Sequence, residues 1–154
     1  MRVARFNSAA IWGEQYGGSN MDNSRTYLSL IARVLMGGAF LWFGCMKLFM
    51  FGPGGTAQYL GGVYHAPSPA LAAWIAIIIE IVGGLAVIFG LWTRWAAAVL
   101  ALWCLFTGLM FHLPAGDPDN IGNFLKNATM AGGFLYLIAY GAGNLSIDGR
   151  LKMA

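Results

Sequence analysis

Four apolar runs, at about 27–51, 70–92, 95–113 and 124–143, occupy most of the chain and leave only short segments between them. An α-helix rises about 1.5 Å per residue, so crossing roughly 30 Å of hydrocarbon takes around 20 apolar residues. Each run is about that long. Strands of a membrane barrel would alternate apolar and polar residues over about ten positions, and no segment here does so. The expected fold class is therefore all-α, an integral membrane four-helix bundle. Composition agrees: hydrophobic residues make up 58% of the chain and charged residues 10%, against roughly 25% charged in soluble domains.

The connections set the topology. Residues 52–69 mix Gly and Pro with Tyr59, Leu60, Val63 and Tyr64, a pattern that suits a loop or short helix lying in the headgroup region. Thr93 and Arg94 alone separate the second and third runs, which forces an antiparallel hairpin. The third connection, 114–123, is acidic and turn-rich. Arg2, Arg5 and Arg25 precede the first run, Arg94 sits in the hairpin, and Arg150 and Lys152 follow the last run. The other two connections carry no Lys or Arg, so the positive-inside rule places both termini in the cytoplasm, N-in and C-in. The resulting division is a loosely ordered cytoplasmic extension at 1–23, a membrane domain at 24–148 and a cytoplasmic tail at 149–154. A net charge of +3, scattered along the chain, does not suggest nucleic-acid binding. No phosphate loop and no nucleophile triad is present.

Polar groups inside hydrocarbon are costly, about 2.5–3.5 kcal/mol each on insertion scales, so they mark places that need a reason. Arg33 lies roughly 10 Å into the first run from the inner side, and Glu80 roughly 15 Å into the second from the outer side. An Arg33–Glu80 ion pair between the first two spans is the expectation. A second group gathers at the outer ends of the spans: Lys47, His112, Lys126 and Asn127, with His65, Asp117 and Asp119 nearby in sequence. A histidine that titrates near pH 6.5 suits proton exchange. The candidate catalytic residues are Glu80, His112 and Lys47, and the candidate cofactor-binding residues are Arg33, Lys126 and Asn127. No metal site is expected, because neither histidine belongs to a ligating motif. Cys45 and Cys104 lie in apolar runs and read as small hydrophobes. Close helix packing is expected at Gly37, Gly38 and Gly44, at Gly83 and Gly84, and at Ala128 and Gly132.

Several of these residues together carry a resemblance. The first span reads Arg33-x3-Gly37-x2-Phe40-x3-Gly44-x2-Lys47-Leu48-Phe49, and the second contains Glu80-x2-Gly83-Gly84-Leu85-x4-Gly90-Leu91-x-Thr93-Arg94. The third ends His112-x-Pro114, and the tail holds Leu145-Ser146-Ile147-Asp148. Over nearly all of 26–148 the chain resembles the DoxX family of four-helix bacterial membrane proteins. Members often carry a polar residue or His before the glycine at position 44, where this chain has Phe43. The resemblance implies a bundle in the bacterial inner membrane and an association with redox chemistry. One relative serves as the membrane subunit of a thiosulfate:quinone oxidoreductase, and more distant ones act as chaperones or cargo receptors. Two functions are expected: a membrane subunit of a quinone-linked oxidoreductase, with quinone as its candidate cofactor, or, from the small size, the absence of cofactor motifs and the Gly-rich faces, a non-catalytic accessory subunit of a larger respiratory or photosynthetic complex; a small-solute transporter is disfavoured because no broken-helix inverted repeat stands in the sequence. Both place the chain in a lipid bilayer beside other membrane subunits.

Overall fold

The computed structural model describes residues 8–115 and 117–151, with side chains for 23–114 and 117–151. Arg2, Arg5, Lys152, Met1 and Ala154 lie outside the described residues. Every element among those described is helical: α1 (Ser8–Cys45), α2 (Gly52–Tyr64), α3 (Pro69–Phe89), α4 (Thr93–Thr107), α5 (Pro118–Tyr140) and α6 (Ile147–Leu151). π-helical turns extend α1 over Met46–Met50 and α4 over Gly108–His112.

The segment expected as a loose extension is helical from Ser8. No proline interrupts the chain before Pro53, and once the apolar part is wound each further residue adds one hydrogen bond at little cost. The segment at 52–64 is a helix, opened by Pro53 and closed by His65 in the left-handed region at φ 51°. At the other end of α3, Gly90 (φ 67°) stops the helix at Phe89, ahead of the expected boundary. The acidic stretch expected as a turn is largely the first turn of α5. Asp117 accepts from the backbone N–H of Asn120, and Pro118 takes the first helical position, so Asp-Pro acts here as a helix start.

Among the described residues, three stretches are long and apolar enough to cross a bilayer: Asn23–Met50, Pro69–Phe89 and Thr93–His112. The 23-residue α5 has the length, but its first turns carry Asp119, Asn120, Asn123, Lys126 and Asn127.

Helices α1 and α3 pack most intimately, because two glycines remove the side chains between them. A Cβ on Gly84 would stand 2.7 Å from the Gly37 carbonyl oxygen and 2.8 Å from the Leu41 nitrogen. Gly44 sits as tightly on Ile81 and Glu80, and Gly83 on the side chain of Leu100. Gly38 and Gly132, expected at helix contacts, face open space. On α5 the close position is Gly133, which receives the end of Met36. The core is filled by Phe40, Val87, Leu100, Cys104, Phe134 and Leu137, with Phe40 and Phe134 edge to face at 5.4 Å.

Arg33 does not meet Glu80. It is fully buried and donates from Nη1 to the Ile88 carbonyl (2.8 Å) and the Val87 carbonyl (3.4 Å), and from Nη2 to the Leu145 carbonyl. The reason is the lean of helical side chains toward their own N-terminus. On antiparallel helices that lean carries Arg33 toward the α3–α4 hairpin and Glu80 away from it. At the hairpin, Arg33 thus satisfies carbonyls at the C-terminal end of α3, where a cation also suits the helix dipole.

The same end holds Asp148, also buried. Its carboxylate accepts from the N–H of Trp92 (2.8 Å), the N–H of Thr93 (2.7 Å) and the Thr93 hydroxyl (2.7 Å). It therefore caps α4 from the far end of the chain, and it holds Trp92 in the left-handed region at φ 44°, a conformation that costs a bulky residue on the order of 1–3 kcal/mol. The Asp148 N–H returns to the Gly90 carbonyl at 2.9 Å, and Ser29 Oγ binds the Ala142 carbonyl at 2.9 Å. The start of the first apolar stretch, the hairpin and the segment after α5 are thereby tied into one knot.

Two stability outcomes are expected for purified protein in detergent. Asp148→Ala should cost about 2–4 kcal/mol, since it loses a helix cap worth ~0.5–2 kcal/mol and orphans buried donors at ~1–3 kcal/mol. Gly84→Leu should lower the unfolding temperature sharply, while Gly132→Leu, which meets open space, should leave it unchanged. Thermal unfolding followed by size exclusion reads all three.

Candidate functional site

The end of the bundle opposite the hairpin is hollow. A cavity of about 660 Å³ lies between α1, α2, α3, α5 and the last turns of α4. Pockets of roughly 300–1,000 Å³ commonly hold small molecules and cofactors. Its walls are mainly apolar and aromatic, with Phe40, Phe43, Tyr59, Trp103 and Phe106 among them.

Lys47 and Glu80 meet across it. Lys47 Nζ lies 2.7 Å from Glu80 Oε2, and Trp103 Nε1 donates to the other oxygen at 3.3 Å. The lean that separates Arg33 from Glu80 brings this pair together, because Lys47 points back along α1 and Glu80 back along α3. Gly44, one turn before Lys47, lets α1 rest directly on the Glu80 Cβ. Glu80 is buried and Lys47 only half so. An ion pair in such a place is weak evidence of stabilisation, since desolvation offsets much of the attraction.

Both π-helical turns border the cavity, and each carries a titratable residue into its lining: Lys47 in the first and His112 in the second. A π turn admits one extra residue per turn, breaks the regular ladder and often accompanies functional sites. In the first turn the Lys47 carbonyl accepts from the Thr56 hydroxyl of α2 at 3.3 Å.

On the far wall, His112 Nδ1 lies 3.1 Å from Asn120 Oδ1. Asn120 Nδ2 donates to Asp117 Oδ2 at 2.7 Å. These bonds to Asn120 hold the exposed Asp117 carboxyl below its usual range. Asn127 Nδ2 reaches Thr107 Oγ1 at 3.4 Å, and Lys126 Nζ donates to Asn123 Oδ1 at 3.0 Å. Phe43 stands beneath two ammonium groups, Lys47 at 5.8 Å and Lys126 at 5.2 Å from its ring centre. An aromatic face at this position attracts cations, so the phenylalanine is a working part of the wall.

Tyr64, at the end of α2, packs against Phe111 with the rings tilted by 41° and 5.0 Å apart, and meets the His112 ring edge to face at 6.2 Å. Burial pushes its hydroxyl up to about 12, helped by the hydrogen bond to Tyr59 and by the nearby Tyr59 and Asp117 charges. Below that pH Tyr64 is a neutral donor.

Of the six residues singled out in sequence, Lys47, Glu80, His112, Lys126 and Asn127 line one cavity, together with His65. Arg33 does not reach it; its guanidinium closes the opposite end. Trp103, Tyr64, Thr107 and Asn120 take part without having been foreseen. Trp103 reads in sequence as one more large apolar residue in a span, and only its indole N–H could have hinted at a buried acceptor.

Comparison with known proteins agrees with the arrangement. The family model described as DoxX matches residues 28–113. The chain is 37% identical over 132 residues to inner membrane protein YphA of Escherichia coli (strain K12), covering 82% of this chain and 92% of that protein. It is 38% identical over 123 residues to inner membrane protein YqjF of the same organism, covering 80% and 91%. An uncharacterized protein of Haemophilus influenzae is 29% identical over 138 residues, covering 86% of this chain and 96% of its own. No solved structure matches. With helices of spanning length and these relatives, the chain is a multi-pass protein of the bacterial inner membrane, and it belongs to the DoxX family.

Proposed function

We propose that this protein is the membrane subunit of a quinone-linked oxidoreductase, built as a four-helix bundle with both termini in the cytoplasm. The observation that carries the reading is the aromatic-walled cavity that ends on the Lys47–Glu80 pair and has His112 in its lining. These residues fit a quinone: flat apolar surfaces for the ring, an ammonium as donor, and a carboxylate and an imidazole to handle protons. A bound quinone would supply two-electron chemistry coupled to two protons, with electrons from a partner subunit.

Lys47 Nζ is the donor suited to a ligand carbonyl, and Trp103 holds Glu80 in place for it. Glu80 takes up or releases a proton at Oε2, where Lys47 now sits, and His112 exchanges protons with the outer solution. Lys126 and Asn127 form the rim on α5, and the Phe43 ring offers one aromatic face to both ammonium groups.

The orientation rests on charge. Arg25, Arg94 and Arg150 belong to the segments gathered around the hairpin, which puts that end in the cytoplasm by the positive-inside rule. As the fourth span, α5 would run roughly 35 Å at 1.5 Å per residue, long enough to cross. Its polar first turns then lie at the outer interface with the cavity mouth, and α2 lies along the headgroups.

A second reading is favoured by Gly38 and Gly132, which offer small, open positions on α1 and α5. Such positions suit close packing of another subunit's helix, as a non-catalytic accessory subunit of a larger respiratory or photosynthetic complex would need.

Reporter fusions at Tyr64 and Asn120 should score outside, and fusions at Arg94 and Ala154 cytoplasmic; one reversal defeats the orientation. In intact membranes His112→Ala and Glu80→Gln should each lower quinone reduction by about 10²-fold or more, the scale of general acid–base catalysis, at unchanged protein level. Full electron transfer in both variants would overturn the quinone reading. Loss of a co-purifying complex on Gly132→Leu, with activity per assembled complex intact, supports the accessory one.

A further inference from the structure

The three residues Asp117, Asn120 and His112 form a chain of hydrogen bonds whose direction is fixed at one end. Asp117 is exposed, and its bonds to Asn120 favour the ionised form, so its carboxylate only accepts. The Asn120 atom 2.7 Å from Asp117 Oδ2 must therefore be the amide nitrogen. An amide has one nitrogen and one oxygen on its head, so the atom left for the imidazole is the carbonyl oxygen, 3.1 Å from His112 Nδ1. An oxygen of that kind only accepts, and Nδ1 must then carry a hydrogen. In a neutral ring this leaves the lone pair on Nε2.

We infer that Asp117 and Asn120 are positioning residues that hold His112 in the Nδ1–H tautomer, so that Nε2 is the proton-exchanging atom offered to the cavity. Free histidine in water favours the opposite tautomer, so the chain reverses an intrinsic preference. The backbone makes the arrangement rigid. Asp117 is the N-cap of α5 through the Asn120 N–H at 3.0 Å, which fixes the spacing of the two acceptors. The π turn over Gly108–His112 places the imidazole opposite Asn120, eight residues on. The edge-on ring of Tyr64 at 6.2 Å limits imidazole rotation from the side of α2.

The consequence for proton movement is that one nitrogen does both halves of the transfer. Nε2 accepts a proton from the outer solution, giving an imidazolium whose Nδ1–H is still held by Asn120. The same Nε2–H bond then breaks toward the cavity, and the electron pair stays on nitrogen. No second proton moves and Asn120 never turns. The catalytic meaning of this device rests on the quinone reading above, whereas the tautomer itself does not.

The test uses the full chain in detergent or nanodiscs, labelled with ¹⁵N-histidine and held in alkaline buffer where imidazole is neutral. The His112 signals are identified by their disappearance in His112→Gln, which leaves only His65. In the wild type, Nδ1 of His112 should show the shift of a protonated ring nitrogen and Nε2 that of a bare one. Asn120→Leu should move His112 toward the Nε2–H form. Asp117→Asn frees the Asn120 amide to turn either way and should give a mixture of both tautomers. A wild-type His112 with hydrogen on Nε2, or a tautomer unchanged in Asn120→Leu, overturns the inference. If a variant fails to fold, the wild-type spectrum alone decides. Where the wild-type tautomer is Nδ1–H and Asn120→Leu shifts it without loss of quinone reduction, the positioning stands and its part in proton transfer falls, whereas the quinone reading itself is decided by His112→Ala and Glu80→Gln.

Discussion

A charge buried among apolar helices has to find its partners within one side-chain length, and the direction in which helical side chains lean decides which partners those are. On the antiparallel pair α1 and α3, Arg33 leans toward the hairpin and Glu80 toward the cavity. Two polar centres result where a comparison of depths alone suggests one. The close approach at Gly37 and Gly84 lies between them and keeps them apart. The bundle thus has a closed end and an open end. The closed end uses its charges as helix caps, Arg33 on the carbonyls of α3 and Asp148 on the N–H groups of α4. The open end keeps Lys47, Glu80 and His112 beside unfilled space.

This division separates stability from chemistry. Both Nη nitrogens of Arg33 are bound to backbone carbonyls, and the fully buried guanidinium lies at the end of the bundle away from the cavity. Lys47 is held by one carboxylate and one aromatic face, and it stays partly exposed. The π turns add to the contrast. Each lets its helix present a titratable side chain toward the cavity at a point where the regular ladder has been relaxed.

Much of the fold was legible in the apolar runs, because length and hydropathy depend on local sequence. The cluster of Lys47, Glu80, His112, Lys126 and Asn127 was legible for a related reason: polar residues stand out against an apolar background. The Arg33–Glu80 pair was misjudged because run boundaries measure depth but carry no information on the lean of a side chain. Asp148 was missed as a cap because it acts on Thr93, 55 positions away, and no local pattern connects the two. The first turns of α5 look like a loop in sequence, since Asp-Pro-Asp-Asn is turn-like in isolation. It became a helix start only because an apolar helical run follows. Trp103 and the π turns leave no signature in a single sequence.

The cap that Asp148 places on α4 also orders events during synthesis. The residues of the α3–α4 hairpin are made before residues 145–148, and until the later segment folds back Trp92 lacks the carboxylate that holds its backbone. Over the same interval Arg33 lacks its Leu145 acceptor, and Asp148 is not yet there to offset its charge. The bundle is therefore incomplete at one end until the segment after α5 docks. A chain whose segment after α5 is blocked from folding back leaves Arg33 short of an acceptor and the start of α4 uncapped.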